Sequence, residues 1–241
     1  MLHFYILVAV FYFILHGSSQ DGDNCFSPEW LESVLMSMKI AKTGFHRDLQ
    51  YGVRYGKSHH NVKALLVQKL PSGVYMDEYQ LATLRQDTSF EVLLDSEVDL
   101  EAPEYLSSGF TALIFLAPSS EFSRKLEATV PIHGRYHRPS NSSHKWVKVE
   151  IESPKLLLRS DQCKTPPPSL YYKVVDAPCT FSNVSMCLWL EIQGLKETGP
   201  VSLEIPVGDS SLTITVCVVT VLVTLLSCIY LLRTIWKHGT F

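Results

Sequence analysis

The densest cluster of side chains able to do chemistry is Pro131-Ile132-His133-Gly134-Arg135-Tyr136-His137-Arg138-Pro139. In an extended strand His133, Arg135 and His137 share one face, so two imidazoles could approach a zinc ion from the same side. Zinc needs further ligands, however, and the spacing indicates none, while Arg135 between the imidazoles would repel the ion. The cluster, with Tyr136, therefore reads as a hydrogen-bonded structural group or a partner-binding face. The pair His59-His60 lies in a polar turn and carries less weight.

Carboxylates offer two further arrangements. An acidic D-x-D pair, of the kind many sugar-nucleotide transferases use to hold a divalent cation, occurs only as Asp21-Gly22-Asp23. It sits beside a candidate cleavage site, where an unstructured terminus is the simpler account. Asp95, Glu97, Asp99 and Glu101 could curl around a cation. Read as a strand, they instead occupy one face opposite Val98 and Leu100, giving a solvated edge that discourages aggregation. There is no G-x-S-x-G elbow, no H-E-x-x-H and no phosphate-binding glycine loop. No catalytic residue, cofactor or metal site is assigned.

Cysteine usage points to an oxidising compartment. Cys25, Cys163, Cys179 and Cys187 precede the long apolar run near the carboxy terminus, and Cys217 and Cys228 lie within it. Four thiols allow three pairings. The short separations among Cys163, Cys179 and Cys187 favour a local bridge, with Cys25 available to tie the amino terminus to one of them. The absence of C-x-x-C removes support for a zinc ribbon or a thioredoxin-type site. Asn141-Ser142-Ser143 and Asn183-Val184-Ser185 are acceptor sequons, and Asn141 is favoured because Pro139 to Ser143 reads as an exposed turn.

Two apolar blocks must position all of this. Leu212 to Leu232 is unbroken and is followed by Arg233, Lys237 and His238. At ~1.5 Å per residue it spans roughly 30 Å, one hydrocarbon core. Cations on the short distal flank place the carboxy terminus in the cytoplasm. Phe4 to Leu15 has the length of a signal h-region, and Gly17, Ser18 and Ser19 supply small residues for cleavage, although the preceding residues include no Lys or Arg. The expected organisation is a signal peptide over 1–19, a lumenal β-rich region over 20–211, a transmembrane helix over 212–232 and a cytoplasmic tail over 233–241. The net charge of −3, with Lys and Arg scattered, points to neither nucleic acid nor a polybasic lipid-binding surface.

Within the large segment, Trp30, Val34, Leu35 and Met38 predict a helix over Pro28 to Ile40, begun by Ser27 and Pro28. After Gly44 the period becomes two. Leu49, Tyr51, Val53 and Tyr55 alternate; Ala64 to Val67, Phe90 to Leu94 and Phe110 to Leu116 are short apolar runs; Trp146 to Ile151 and Leu203 to Val207 resume the pattern. Turn signals at Pro71-Ser72-Gly73, Pro103, Ser107 to Gly109, Pro118 and Pro139 separate them. The fold class expected is mainly β, a β-sandwich-like domain with a short amino-terminal helix and one transmembrane α-helix. Thr165 to Ser169, with three prolines, is the candidate linker before a cysteine-rich stretch that could form a small stapled subregion.

The chain resembles the PIG-X family. The resemblance is carried by Gly44-Phe45-His46-Arg47-Asp48-Leu49, by Pro71-Ser72-Gly73-Val74-Tyr75 with Asp77 and Tyr79, and by Glu101-Ala102-Pro103 with Tyr105. The Pro131 to Pro139 motif, Ala177-Pro178-Cys179 and Pro206-Val207-Gly208 continue it to the apolar run. It implies a noncatalytic subunit of the endoplasmic-reticulum enzyme that adds the first mannose in glycosylphosphatidylinositol (GPI) anchor synthesis. In that family the partner is the multispanning catalytic subunit PIG-M, which takes mannose from dolichol-phosphate-mannose. The resemblance brings no active-site residue onto this sequence.

Other readings are a single-pass surface receptor or adhesion glycoprotein, and an enzyme resting only on the histidine cluster. Trp146 and Trp189 do not stand between cysteines as an immunoglobulin domain requires. A GPI-attachment signal at Gly208 to Ser211 would need a polar spacer and a hydrophobic end, whereas charges follow the apolar run. Finally, Ser210, Thr213, Cys217, Thr220, Thr224 and Ser227 are spaced by three and four residues, a seam of small side chains against which another helix could pack. Single hydroxyls that bond back to their own helix are the bland account.

Overall fold

The computed structural model describes residues 26–57, 61–87, 91–118, 124–141, 145–163, 169–196 and 199–239. The expected signal peptide, Asp21, Asp23, Cys25, His59, His60 and all of the candidate linker except Ser169 lie outside them.

Ser27 and Pro28 open a helix as their types predict. The Ser27 hydroxyl accepts from the Trp30 N–H at 3.3 Å, and Pro28 takes the first turn, where no N–H is required. The helix does not reach Ile40. Helix α1 is Pro28–Glu32, and the chain then enters strand β1, Leu35–Ala41, in which Met36 and Met38 are buried between more exposed neighbours. The apolar residues fit both periods, and the ladder with β2 (His46–Arg54) decides between them.

The remaining strands are β3 (Lys63–Leu70), β4 (Val74–Tyr75), β5 (Glu91–Leu94), β6 (Phe110–Pro118), β7 (Lys125–Gly134), β8 (Trp146–Ile151), β9 (Lys155–Arg159), β10 (Tyr172–Pro178), β11 (Met186–Ile192) and β12 (Val201–Pro206). A ten-stranded antiparallel path runs β1-β2-β7-β6-β3-β9-β11-β10, with β4 on β7 and β5 on β6. β6 pairs with β3 from Phe110 to Leu116 along one edge. On the other it pairs with β5 from Ala112 to Phe115, and with β7 only at Ala117 and Pro118. β7 meanwhile pairs with β2 over nine residues, from His46↔His133 to Arg54↔Lys125. The two halves part at that corner, so that β1, β2, β4 and β7 form one layer and the remaining strands of the path the other.

Alternation explains what lies between them. From one layer Met36, Met38, Leu49, Val53, Val130 and Ile132 enter the main core; from the other come Leu66, Ile114, Leu156, Leu158 and Leu190. The opposite face of the second layer carries a smaller cluster of Leu65, Leu157, Ala177 and Trp189. That second apolar row is why β3 and β9 read as continuous apolar runs rather than alternating ones. β8 and β12 form a separate two-stranded ladder, whose Val149, Ile151, Leu203 and Ile205 join the main core. It packs closely because of two glycines: a Cβ on Gly73 would lie 2.8 Å from Val149 Cγ2, and one on Gly134 would lie 2.9 Å from Ile205 Cδ1.

Asp95 to Glu101 is not the strand expected. Asp95 Oδ1 accepts from the Thr111 N–H at 2.9 Å, and Asp99 Oδ1 accepts from the N–H groups of Glu101 and Ala102 at 2.9 and 3.1 Å. Short carboxylates that bond the nearby backbone bend the chain instead of alternating along it. The stretch after the linker continues the second layer through the β10–β11 hairpin, stapled by Cys179–Cys187 with Cα atoms 5.0 Å apart. Cys163 is also disulfide-bonded.

Helix α2, Glu78–Asp87, was not anticipated. The last helix, α3, runs Thr213–His238, past the expected end at Leu232, because Arg233 to His238 include good helix formers and hydrocarbon thickness does not set where a helix stops. It is long and apolar enough to cross a membrane, and none of it is buried against the rest of the chain.

One buried polar contact joins the two layers: Tyr51 O–H on β2 donates to Gln68 Oε1 on β3 at 3.0 Å. Burial pushes the Tyr51 phenol well above its ordinary pKa, so it remains a neutral donor. Tyr51→Phe removes the donor and leaves a buried acceptor. Urea unfolding of the detergent-solubilised chain should show a loss of about 1–3 kcal/mol, and an unchanged midpoint would mean that the contact contributes nothing.

Candidate functional site

The histidine cluster sits where four elements meet: the end of β7, the short strand β4, the start of β2 and helix α2. The helix begins there because Asp77 Oδ1 accepts from the N–H groups of Tyr79 and Gln80 at 2.9 and 3.2 Å, a carboxylate cap. This brings Gln80 to His133, whose Nε2 hydrogen-bonds with Gln80 Oε1 at 2.9 Å. The His133 ring stacks on Tyr75 at 5.0 Å and meets His46 edge-on at 4.5 Å. Burial is the main reason that its pKa falls below the ordinary histidine value; repulsion from His46 adds to this and Asp77 opposes it.

The three cluster residues do not share a strand face, since β7 ends at Gly134. The Arg135 N–H donates to Gly73 O at 2.9 Å, its Nη1 donates to Ala102 O at 2.6 Å, and its guanidinium lies 4.8 Å from the centre of the Tyr75 ring. Arg135 is only 4% exposed, and burial lowers its pKa against the pull of Tyr75 and Asp99. Tyr136 turns outward, 72% exposed, with its ring 5.0 Å from Phe45. His137 Nδ1 lies 3.6 Å from Glu104 Oε2, and the Ser72 hydroxyl donates to Glu104 Oε1 at 3.1 Å.

These distances decide what the group can do. His133 addresses an amide and His137 a carboxylate, with a buried cation in the sequence between them. No group of three or more metal-ligating side chains converges among the described residues. Among the described residues, His133 hydrogen-bonds the Gln80 amide and packs against the rings of Tyr75 and His46. The arrangement is a corner brace whose exposed members are Tyr136 and His46, with Phe45 half-buried against the core. Gln80, Tyr75, Asp77 and Glu104 complete it. Of these, only Asp77 had a legible signal, an Asp three residues before Gln80 at a helix start.

The other expected positions are separate from the brace. Asn183 is exposed within the segment closed by Cys179–Cys187, and its Oδ1 accepts from the N–H and hydroxyl of Ser185. Asn141 Oδ1 accepts from the hydroxyl of Ser210. Ser210 belongs to a short 3-10 turn, Ser210–Leu212, so only Thr213, Cys217, Thr220, Thr224 and Ser227 of the seam lie within α3.

Comparison with known proteins adds what the geometry of an accessory fold cannot carry alone. The family model described as PIG-X / PBN1 matches residues 42–236, from the turn before β2 nearly to the end of α3. The human protein "GPI alpha-1,4-mannosyltransferase I, stabilizing subunit" is 34% identical over 212 residues, which is 86% of this chain and 82% of the relative. The protein of the same name from Rattus norvegicus is 32% identical over 212 residues, covering 86% of this chain and 84% of the relative. A shorter match, 40% identity over 91 residues, is to "Protein pbn1" of Aspergillus oryzae and covers 33% of this chain and 17% of that protein. Spanning both sheet layers, the corner brace and the apolar helix, this similarity means that the chain belongs to the PIG-X / PBN1 family.

Proposed function

We propose that this chain is the noncatalytic, stabilising subunit of the mannosyltransferase that adds the first mannose during GPI-anchor synthesis, and that it binds the multispanning catalytic subunit PIG-M. The observation that carries this is similarity along 86% of the chain to relatives named as the stabilizing subunit of that enzyme. A His133 and a His137 engaged by Gln80 and Glu104 support the same reading, because side chains already held by their neighbours suit a scaffold better than a reaction centre.

The chain is a single-pass type I protein of the endoplasmic reticulum membrane, with residues 20–211 lumenal, glycosylated at Asn141 and Asn183. Support comes from Lys237 and His238 in the last turn of an apolar helix and from a disulfide-bonded fold before it. Two surfaces are assigned to the partner. One is the seam Thr213, Cys217, Thr220, Thr224 and Ser227, where small side chains allow close helix approach in lipid and hydroxyls can bond across the contact. The other is the brace corner with His133, Arg135, Tyr136 and His137, of which Tyr136 is the exposed member.

Deleting the protein should lower both the abundance of the catalytic subunit and the display of GPI-anchored proteins on the cell surface; normal levels of both would refute the assignment. Replacing the five helical seam residues with Leu keeps the helix apolar but fills its cleft, so recovery of the catalytic subunit in mild detergent should drop several-fold. Unchanged recovery would reduce the helix to an anchor. His133→Ala should lower the thermal stability of the chain while leaving turnover by the assembled complex intact, whereas loss of turnover at normal assembly would place His133 in the chemistry.

A further inference from the structure

Trp146 is an exposed indole with a specific address. It is 57% exposed, whereas Trp189 is 1% exposed, and it stands opposite Pro206 in the last pair of the β8–β12 ladder. Four residues beyond Pro206 begins the turn that leads into α3. That intervening stem is bonded on both sides. The Val207 N–H donates to Lys145 O at 2.9 Å, the Ser140 N–H donates to Gly208 O at 2.9 Å, and the Ser210 N–H donates to Ser140 O at 3.2 Å. The hydroxyl of Ser210 donates to Asn141 Oδ1 on the same side. Asn141 and Lys145, like Trp146, are exposed.

We propose that Lys145 and Trp146 form an interfacial seat that rests in the phospholipid headgroup layer and holds the base of the lumenal domain on the membrane. The inference rests on the reading that α3 crosses the bilayer. From Pro206 to Leu212, where the apolar run begins, is six residues, at most about 20 Å of extended chain. The bonded stem keeps Lys145 and Trp146 beside it. At the other end Trp236 is 92% exposed, and the 23 residue steps from Thr213 to Trp236 cover about 35 Å, slightly more than a hydrocarbon core. Two exposed tryptophans thus flank the apolar run, the placement that interfacial tryptophans adopt because the ring is apolar and the N–H seeks phosphate or ester oxygen. The ammonium of Lys145 suits the same phosphate layer. Lipid is chosen over a protein occupant because these residues pair with the end of β12 and the stem that leads directly into the membrane helix.

The test uses the full chain carrying Trp236→Phe, reconstituted into phosphatidylcholine vesicles that contain lipids bearing a nitroxide either just below the headgroup or deep in the acyl chain. The contribution of Trp146 is the difference between this protein and one that also carries Trp146→Phe, with circular dichroism checking that the fold is kept. The expected result is that the Trp146 emission loses more than half of its intensity to the shallow quencher and clearly less to the deep one. If Trp146 is insensitive to both while Trp236 is quenched in the Trp146→Phe protein, α3 is inserted and the seat is refuted. If neither tryptophan is quenched and alkaline carbonate strips the protein from the vesicles, the membrane-crossing reading has failed and the seat fails with it.

Discussion

The carboxamide of Gln68 is fully buried, and every bond it makes ends in a different part of the fold. Its oxygen accepts from Tyr51 in the facing layer, and its nitrogen donates to Lys69 O at 2.7 Å and to Glu152 O at 2.9 Å. Hydrophobic packing alone would tolerate small slides of one layer over the other, because apolar contact is not directional. A buried amide does not, since an unmet donor or acceptor costs more than a met one contributes. Gln68 therefore fixes β2 against β3. Through Glu152 it also fixes the connection between β8 and β9, and β8 carries the ladder that leads to the apolar helix.

The corner around His133 extends the same logic to the edge of the core. β7 pairs with β2 along its length and with β4 at its end, so His133 has His46 on one side and Tyr75 on the other. Burial favours the neutral form of the ring, and the guanidinium of Arg135 is held by a carbonyl and an aromatic face. These are costly groups to bury. Bonded in part by neighbours from separate elements, with Arg135 Nε and His137 Nε2 buried without a hydrogen bond, they orient β4, α2 and the loop through Glu104 relative to one another. What reaches solvent is Tyr136 and His46, with Phe45 half-buried beside the Tyr136 ring.

The sequence was legible where one rule acted alone. β2, β8 and β12 were identified by alternation and β6 by its short apolar run; the Ser27 cap and the apolar helix were equally plain. Reading failed where two constraints overlapped. Leu35 to Ile40 fits both a helical and an alternating period, and only pairing with β2 selects the strand. Lys155 to Arg159 is apolar on both faces because Leu157 serves the smaller cluster while Leu156 and Leu158 serve the larger. Helix α2 presents a polar surface, with Leu81 the one buried side chain among its described residues, so its apolar signal was slight. The site was half legible: the spacing of His133, Arg135 and His137 showed a cluster, but their partners Gln80, Tyr75 and Glu104 come from elsewhere in the chain and no local pattern pointed to them.

The stem between the β fold and the apolar helix has the composition of a loose tether, Val207-Gly208-Asp209-Ser210-Ser211. It is bonded instead. Asp209 Oδ1 accepts from the Ser211 N–H at 2.9 Å, and hydrogen bonds with Lys145, Ser140 and Asn141 hold it from both flanks. Exposed bonds of this kind contribute about 0.5–1.5 kcal/mol each, so even together they no more than offset the entropy of a free linker, about 1–2 kcal/mol per residue. The balance is close, so the stem holds best when the groups around it are also ordered, as they would be against a membrane or a bound subunit. A stabilising subunit gains from such coupling. A contact made by the apolar helix and one made by the β fold would then act on one body, and either would lower the entropic cost of the other.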